Sequence, residues 1–217
     1  MKRNHFKRFA ALALSAVCGA ACLAGCGTQP TAATALETIQ QPKTGSYEDW
    51  ELIQQTRQEN PVSESTFTAL DHFAYTTAAQ VLGEDADGSY SPLSLYYALA
   101  LAATGAAGKT QTQMLDLLGI SDPAQLSDQC AKLYRLLIRD NEVGTLRLAN
   151  SLWMDQRVDW KQSFVTQAAQ NFYAEVYQVD FTTDEAPKAM AQWVAQQTGG
   201  LLTPTFQPTD QQVLSLL

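Results

Sequence analysis

Four groups of residues have types and spacings that could do chemistry. Ala103-Thr104-Gly105-Ala106-Ala107-Gly108-Lys109-Thr110 fits a relaxed phosphate-loop pattern, A/G-x-x-x-x-G-K-T. Such a loop surrounds phosphate oxygens with backbone N–H groups, and it needs a buried strand before it and a helix after it. Here Leu93 to Ala103 is rich in Ala and Leu with helical rather than alternating spacing, and no apolar run ending in Asp follows to hold Mg²⁺. A turn between two helices fits better. Nucleophilic catalysis needs a base beside a Ser or Cys. His72 is the one His beyond the first 25 residues, it follows Asp71 on an apparent helix, and there is no Gly-x-Ser-x-Gly, so the pattern argues against a hydrolase. Glu84, Asp85 and Asp87 could face a calcium ion, but their turn lacks the remaining oxygen ligands and the bidentate Glu of a calcium loop. Trp153, Trp160 and Trp193 fall on apolar faces, where packing outweighs ligand stacking. The residues therefore indicate no catalytic site, no metal and no cofactor.

The N-terminus reads as an address. Lys2, Arg3, Lys7 and Arg8 precede an apolar stretch, Phe9 to Leu23, that is shorter than the roughly 20 residues of a permanent span. It ends in Leu23-Ala24-Gly25-Cys26, which resembles a bacterial lipobox and implies cleavage before Cys26 and lipid on its thiol. The expected organisation is a signal over 1–25, a flexible tether over 26–46 and a folded part over 47–217. The tether expectation rests on its Thr, Ala, Gln and Pro content and lack of apolar period. Four of the 14 basic residues leave with the signal, so ten face 22 acidic ones, a net charge of about −12. That charge argues against nucleic acid as a partner and against electrostatic adhesion to anionic lipid; membrane attachment falls to the anchor. Cys18 and Cys22 leave with the signal and Cys26 is consumed, so Cys130 has no disulfide partner. Its helical spacing with Leu126, Leu133 and Leu137 makes it a buried small hydrophobe.

The elements that would position these residues follow from periodicity. A polar, helical Glu51–Asn60 is broken by Pro61, and Ser65–Leu82 is an amphipathic helix with Phe67, Leu70, Phe73, Ala74, Ala78 and Val81 on one side. Ser91-Pro92 caps a helix that stops at Gly105. Thr110 with Gln113 suggests a capping box for the next helix, with Met114, Leu117 and Leu118 inward and Gly119 ending it. Pro123 opens a third helix to about Arg139, then a turn over Asp140–Gly144. Leu146 to Met154 alternates as one long strand with apolar groups on both faces, the pattern of a sheet covered on both sides. A helix through Trp160, Phe164, Ala168 and Phe172, a strand over Glu175–Phe181 and a helix over Glu185–Gln197 follow. Val213–Leu217 looks like a further, unpartnered strand.

Several of these segments resemble the serpin family when taken in order. They are Ser91-Pro92-Leu93-Ser94, Gly105-Ala106-Ala107-Gly108-Lys109-Thr110, Leu148-Ala149-Asn150-Ser151-Leu152-Trp153, Ala174-Glu175-Val176 with Val179-Asp180-Phe181, and Trp193-Val194 with Thr198 and Gly200. Ala191 stands where the family usually has Asn, and Leu201-Leu202 where it has Lys-Ile. The resemblance implies an α+β fold: a serpin-like N-terminal helical half with a few strands of the central β-sheet, incomplete. It implies a suicide inhibitor of serine or cysteine proteases, whose own reactive loop enters the sheet after cleavage. Ser91, Ser94 and Asn150 match the shutter region beneath that sheet, and the reactive loop would lie beyond Leu217. The expectation is thus the N-terminal portion of such an inhibitor, not an enzyme, inactive alone and lipid-anchored at the extracellular cell surface. The alternative is a surface lipoprotein that binds a partner without inhibiting.

Overall fold

The computed structural model describes residues 33–37, 39–83 and 88–217. The expected signal, Cys26 and the acidic turn at Glu84, Asp85 and Asp87 lie outside these residues.

A two-residue strand, β1 (Thr34–Ala35), comes first, followed by α1 (Trp50–Glu59), whose Asp49 cap accepts a hydrogen bond from the Leu52 amide. Then α2 (Glu64–Val81) starts on Ser63, whose hydroxyl accepts from the Thr66 amide. Its buried residues are Thr66, Ala69 and Phe73, so the inward face is rotated from the expected one. Phe67 and Val81, expected inward, are 47% and 54% exposed. The Ser63 amide and the Thr66 hydroxyl both donate to Gln129 Oε1, and the Ser63 hydroxyl bonds that of Thr66; this polar tie outweighs the burial of Phe67 in setting the helix's rotation.

Helices α3 (Pro92–Gly105) and α4 (Gly108–Leu118) form the expected helical hairpin. The capping box is not present: α4 begins at Gly108, two residues before Thr110, and its first turn has no side-chain cap. Leu115 and Leu118 share the buried face, and Leu117, expected inward, turns outward at 44% exposed. Helix α5 (Pro123–Leu137) begins at Asp122, whose side chain accepts from the Ala124 amide, and buries Cys130 with Leu126 and Leu133.

The expected long strand is divided. Strands β2 (Arg139–Asp140) and β3 (Thr145–Leu146) form a separate hairpin, and only β4 (Asn150–Asp155) joins the main sheet. Then come α6 (Gln162–Phe172), β5 (Ala174–Val179), α7 (Glu185–Gln197) and β6 (Leu214–Leu216). The sheet order is β1-β5-β4-β6, with β4 and β5 parallel and both outer pairings antiparallel.

Two corrections follow. Strand β6 is not unpartnered: Leu152, Trp153 and Met154 of β4 face Leu216, Ser215 and Leu214. The stretch 26–46, expected as a flexible tether, docks in its described part. Thr34 and Ala35 pair with Gln178 and Tyr177, and Leu36 and Ile39 pack against the core.

Both faces of the sheet are covered, as the apolar alternation of β4 predicts. Leu152, Met154, Ala174 and Val176 join the core shared with α2 to α6. Trp153, Tyr177 and Val179 point the other way, under Ala186, Met190 and Trp193 of α7. The α+β expectation holds.

Candidate functional site

Ser91 ends an extended segment and caps α3: its Oγ accepts the Ser94 amide at 3.2 Å and the Ser94 hydroxyl at 2.8 Å. One turn on, the buried Tyr97 hydroxyl donates to the Cys130 carbonyl at 2.7 Å, and burial pushes its acidity far from neutral pH. Across from this helix end, Asn150 opens β4 and its Nδ2 donates to the Phe172 carbonyl, 2.8 Å away at the end of α6. That bond satisfies a carbonyl that the helix cannot use internally.

Ser94 and Asn150 line one cavity of about 130 Å³, together with Tyr97, Ser151, Leu216 and Leu217. Ser91 acts on it through the Ser94 hydroxyl and does not line it. The structure thus brings two of the three sequence-picked residues together and leaves the third as a cap. Ser151, Tyr97 and the end of β6 were missed by the sequence reading. Ser151 is buried and exchanges both backbone hydrogen bonds with Leu217, at 2.8 and 3.1 Å, while its hydroxyl accepts from Trp153 Nε1 at 2.8 Å. Its place beside Asn150 on a β-period was the available signal.

The polar side chains that line this cavity are the hydroxyls of Ser94, Tyr97 and Ser151, the Asn150 amide and the Arg147 guanidinium. No His, Asp or Glu lines this cavity, and His72 is exposed on α2. The phosphate-loop pattern falls on the end of α3 and the start of α4, so a helix stands where a phosphate loop needs a strand, and Lys109 is exposed.

The opposite face of the sheet is pinned to α7. Glu175 on β5 accepts from the Tyr177 hydroxyl, from Trp193 Nε1 at 3.0 Å and from Gln197 Nε2 at 3.2 Å. The Trp153 ring stacks on Tyr177 with centroids 4.4 Å apart. At the far end of β4, the fully buried Asp155 accepts from the Arg157 amide and Nε at 2.7 and 2.8 Å and from Nη2 at 2.7 Å. These bonds from Arg157 hold the Asp155 carboxyl below the usual carboxylate range.

Residues 68–217 match the family model described as serpin (serine protease inhibitor). A putative serpin-Z6A of Oryza sativa subsp. japonica is 34% identical over 123 residues, 55% of this chain and 31% of that protein. An uncharacterized serpin-like protein of Thermococcus kodakarensis is 28% identical over 147 residues, 66% of this chain and 34% of its own length. Among solved structures, the thermophilic serpin tengpin in its native state superposes with a TM-score of 0.61 at 22% identity, over 85% of this chain and 45% of that one. An Arabidopsis serpin in its native stressed conformation gives 0.59 at 22% identity, over 74% of this chain and 42% of that one. These superpositions show the fold. The chain spans about a third of the length of the curated relatives it matches.

Proposed function

The chain belongs to the serpin family, and on that premise we propose that it is the N-terminal portion of a serine protease inhibitor that traps its target by loop insertion. Its role is then mechanical and not enzymatic, and it uses no cofactor. The observation that carries the reading is β6, a three-residue strand at the edge of the sheet. It is held to β4 on one side and, among the described residues, has no strand on the other. An inserted strand would satisfy that outer edge with main-chain hydrogen bonds, the gain that drives strand addition. The cavity at Ser94 and Asn150 is the shutter that lets the sheet shift, with Ser91 holding the Ser94 hydroxyl in place. The bait loop belongs to the part of the protein beyond Leu217.

The test is incubation of the product of the whole coding frame with serine proteases of differing side-chain preference. A one-to-one complex that survives boiling in detergent is expected, and residues 1–217 alone should form none. Cleavage of the protein without a trapped complex would sink the inhibitory reading. Inhibition by residues 1–217 alone would sink the placement of the loop.

The reading extends to location. The lipobox-like Leu23–Cys26 supports a diacylglycerol thioether on Cys26 that holds the inhibitor at the outer face of the cell membrane. Metabolic labelling with a radioactive fatty acid should mark the protein, and Cys26→Ala should abolish the label. Equal labelling of the variant would remove the anchor from the proposal.

A further inference from the structure

The described residues include ten lysines and arginines in a chain with 22 acidic residues. Lys132, Arg147, Arg157 and Lys188 are ion-paired. Of the six with no carboxylate partner among the described residues, four line a single groove: Lys43, Arg57, Arg135 and Arg139. The groove holds about 540 Å³ between the segment before α1, the end of α5 and the β2–β3 hairpin, and no Asp or Glu lines it. Arg135 is fixed there by neutral hydrogen-bond partners, with Nε donating to Asn60 Oδ1 and Nη1 to the Tyr173 hydroxyl at 2.9 Å, while its charge also acts on the Asp128 carboxyl two turns back on α5. Carboxylates beside the groove have other partners: Asp49, next to the lining Gly45, accepts from the Leu52 amide. Glu142 accepts from Ser46 Oγ at 2.7 Å and the Tyr47 amide at 3.0 Å, and Asp140 pairs with Arg147.

The same groove gathers apolar surface. Tyr47, Trp50, Val143 and Leu146 line it and are 51%, 61%, 68% and 44% exposed. They are four of the twelve large apolar side chains left exposed among the described residues. Unpaired cations in an otherwise acidic chain focus a positive potential, and the exposed rings and aliphatic groups beside them favour a ligand with an apolar body.

We infer that this groove binds a small amphipathic anion, an alkyl or aryl body carrying one carboxylate or sulfate-type group. The anionic head faces the cations and the body lies along Tyr47, Trp50, Val143 and Leu146. The site shares no lining residue with the Ser94–Asn150 cavity, so it is independent of the inhibitory reading. A sulfated polysaccharide would satisfy the cations but leave the apolar wall unused.

The test uses the full chain and the fluorescent aryl sulfonate 8-anilinonaphthalene-1-sulfonate, displaced by dodecanoate below its micelle concentration, with dodecanol as the neutral control. One site is expected, with dodecanoate displacing the probe and dodecanol competing at least about tenfold more weakly, the loss for removing two partly exposed charge contacts. The double variant K43Q/R57Q should weaken probe binding by about the same factor with unchanged circular dichroism. K109Q/K161Q, which removes unpaired cations elsewhere, should leave binding unchanged. Equal competition by dodecanol, equal loss in both double variants, or displacement by a sulfated polysaccharide but not by dodecanoate would each overturn the assignment.

Discussion

The Asp155 carboxylate is fully buried, and its charge is met by three hydrogen bonds from Arg157. Those bonds depress its folded-state pKa, so the stabilisation is complete above the unfolded value and is lost as pH falls through the folded one. The window therefore lies below about pH 4. Denaturant midpoints should fall steeply from pH 4 to pH 2.5, and Asp155→Asn should lower stability at pH 7 while flattening that acid limb. An unchanged acid limb in the variant would assign the effect to Asp128 or Asp180, whose carboxyls are also held low. Cys130 shows the opposite case. Burial pushes its thiol up to about 12, and the residue is 2% exposed. Its thiol should resist a disulfide reagent in native buffer and react on unfolding, with peptide mapping to separate it from the N-terminal cysteines. Labelling in native buffer at the rate of a free thiol would contradict the burial. The sequence carried this residue clearly, because Cys130 shares a helix face with Leu126 and Leu133, whereas nothing local marked Asp155 as buried.

Helix boundaries were legible where a cap is written in side chains and obscure where it is not. Ser91-Pro92 and Asp122-Pro123 start α3 and α5, and both are visible in the sequence. Helix α4 starts at Gly108 on backbone conformation alone, so Thr110 and Gln113 gave a plausible but later start. Its end is better marked: Gly119 has φ +70°, and a Cβ there would meet Ala69 Cβ of α2 at 2.9 Å. Gly199, which closes α7, has φ +60° but open space around it. Gly199→Ala should cost about 1 kcal/mol, the backbone penalty alone. Gly119→Ala should cost about 2–3 kcal/mol because α2 and α4 must also separate. Equal shifts in the denaturant midpoints of the two variants would mean that the α2–α4 contact yields freely. The division of the expected long strand has a similar origin. Alternation shows that residues 146–154 are extended, but not that Leu146 pairs with Arg139 while Leu152 pairs with Val176 and Leu216.

At the scale of the molecule, the sheet's edges were the least legible feature, because an edge strand is defined by its neighbour and not by its own residues. Thr34 and Ala35 have no strand signature, yet they lie antiparallel to β5, and the Leu36 amide continues the ladder to the Val176 carbonyl at 2.9 Å. Three further ties follow within a few residues. Glu37 accepts from Gln162 Nε2 at 2.9 Å and Thr166 Oγ1 at 3.1 Å, Ile39 packs on the core, and Gln41 accepts the Tyr134 hydroxyl at 2.9 Å. The segment thus straps β5, α6 and α5 together, and its contribution can be measured. Deleting residues 1–46 should lower stability by about 2–4 kcal/mol, the sum of two half-buried aliphatic side chains and a few hydrogen bonds. It should also leave the outer edge of β5 bare, with Tyr177 and Val179 beside it, so light scattering at the unfolding midpoint should rise. Leu36→Ala in the full chain separates strap from solubility, since it keeps the ladder and removes only packing. Its cost should be about 1–2 kcal/mol, given partial burial. A midpoint unchanged in both variants would return residues 33–46 to the role of a loose tether. A shift in both would make this segment part of the folded domain and not of a tether.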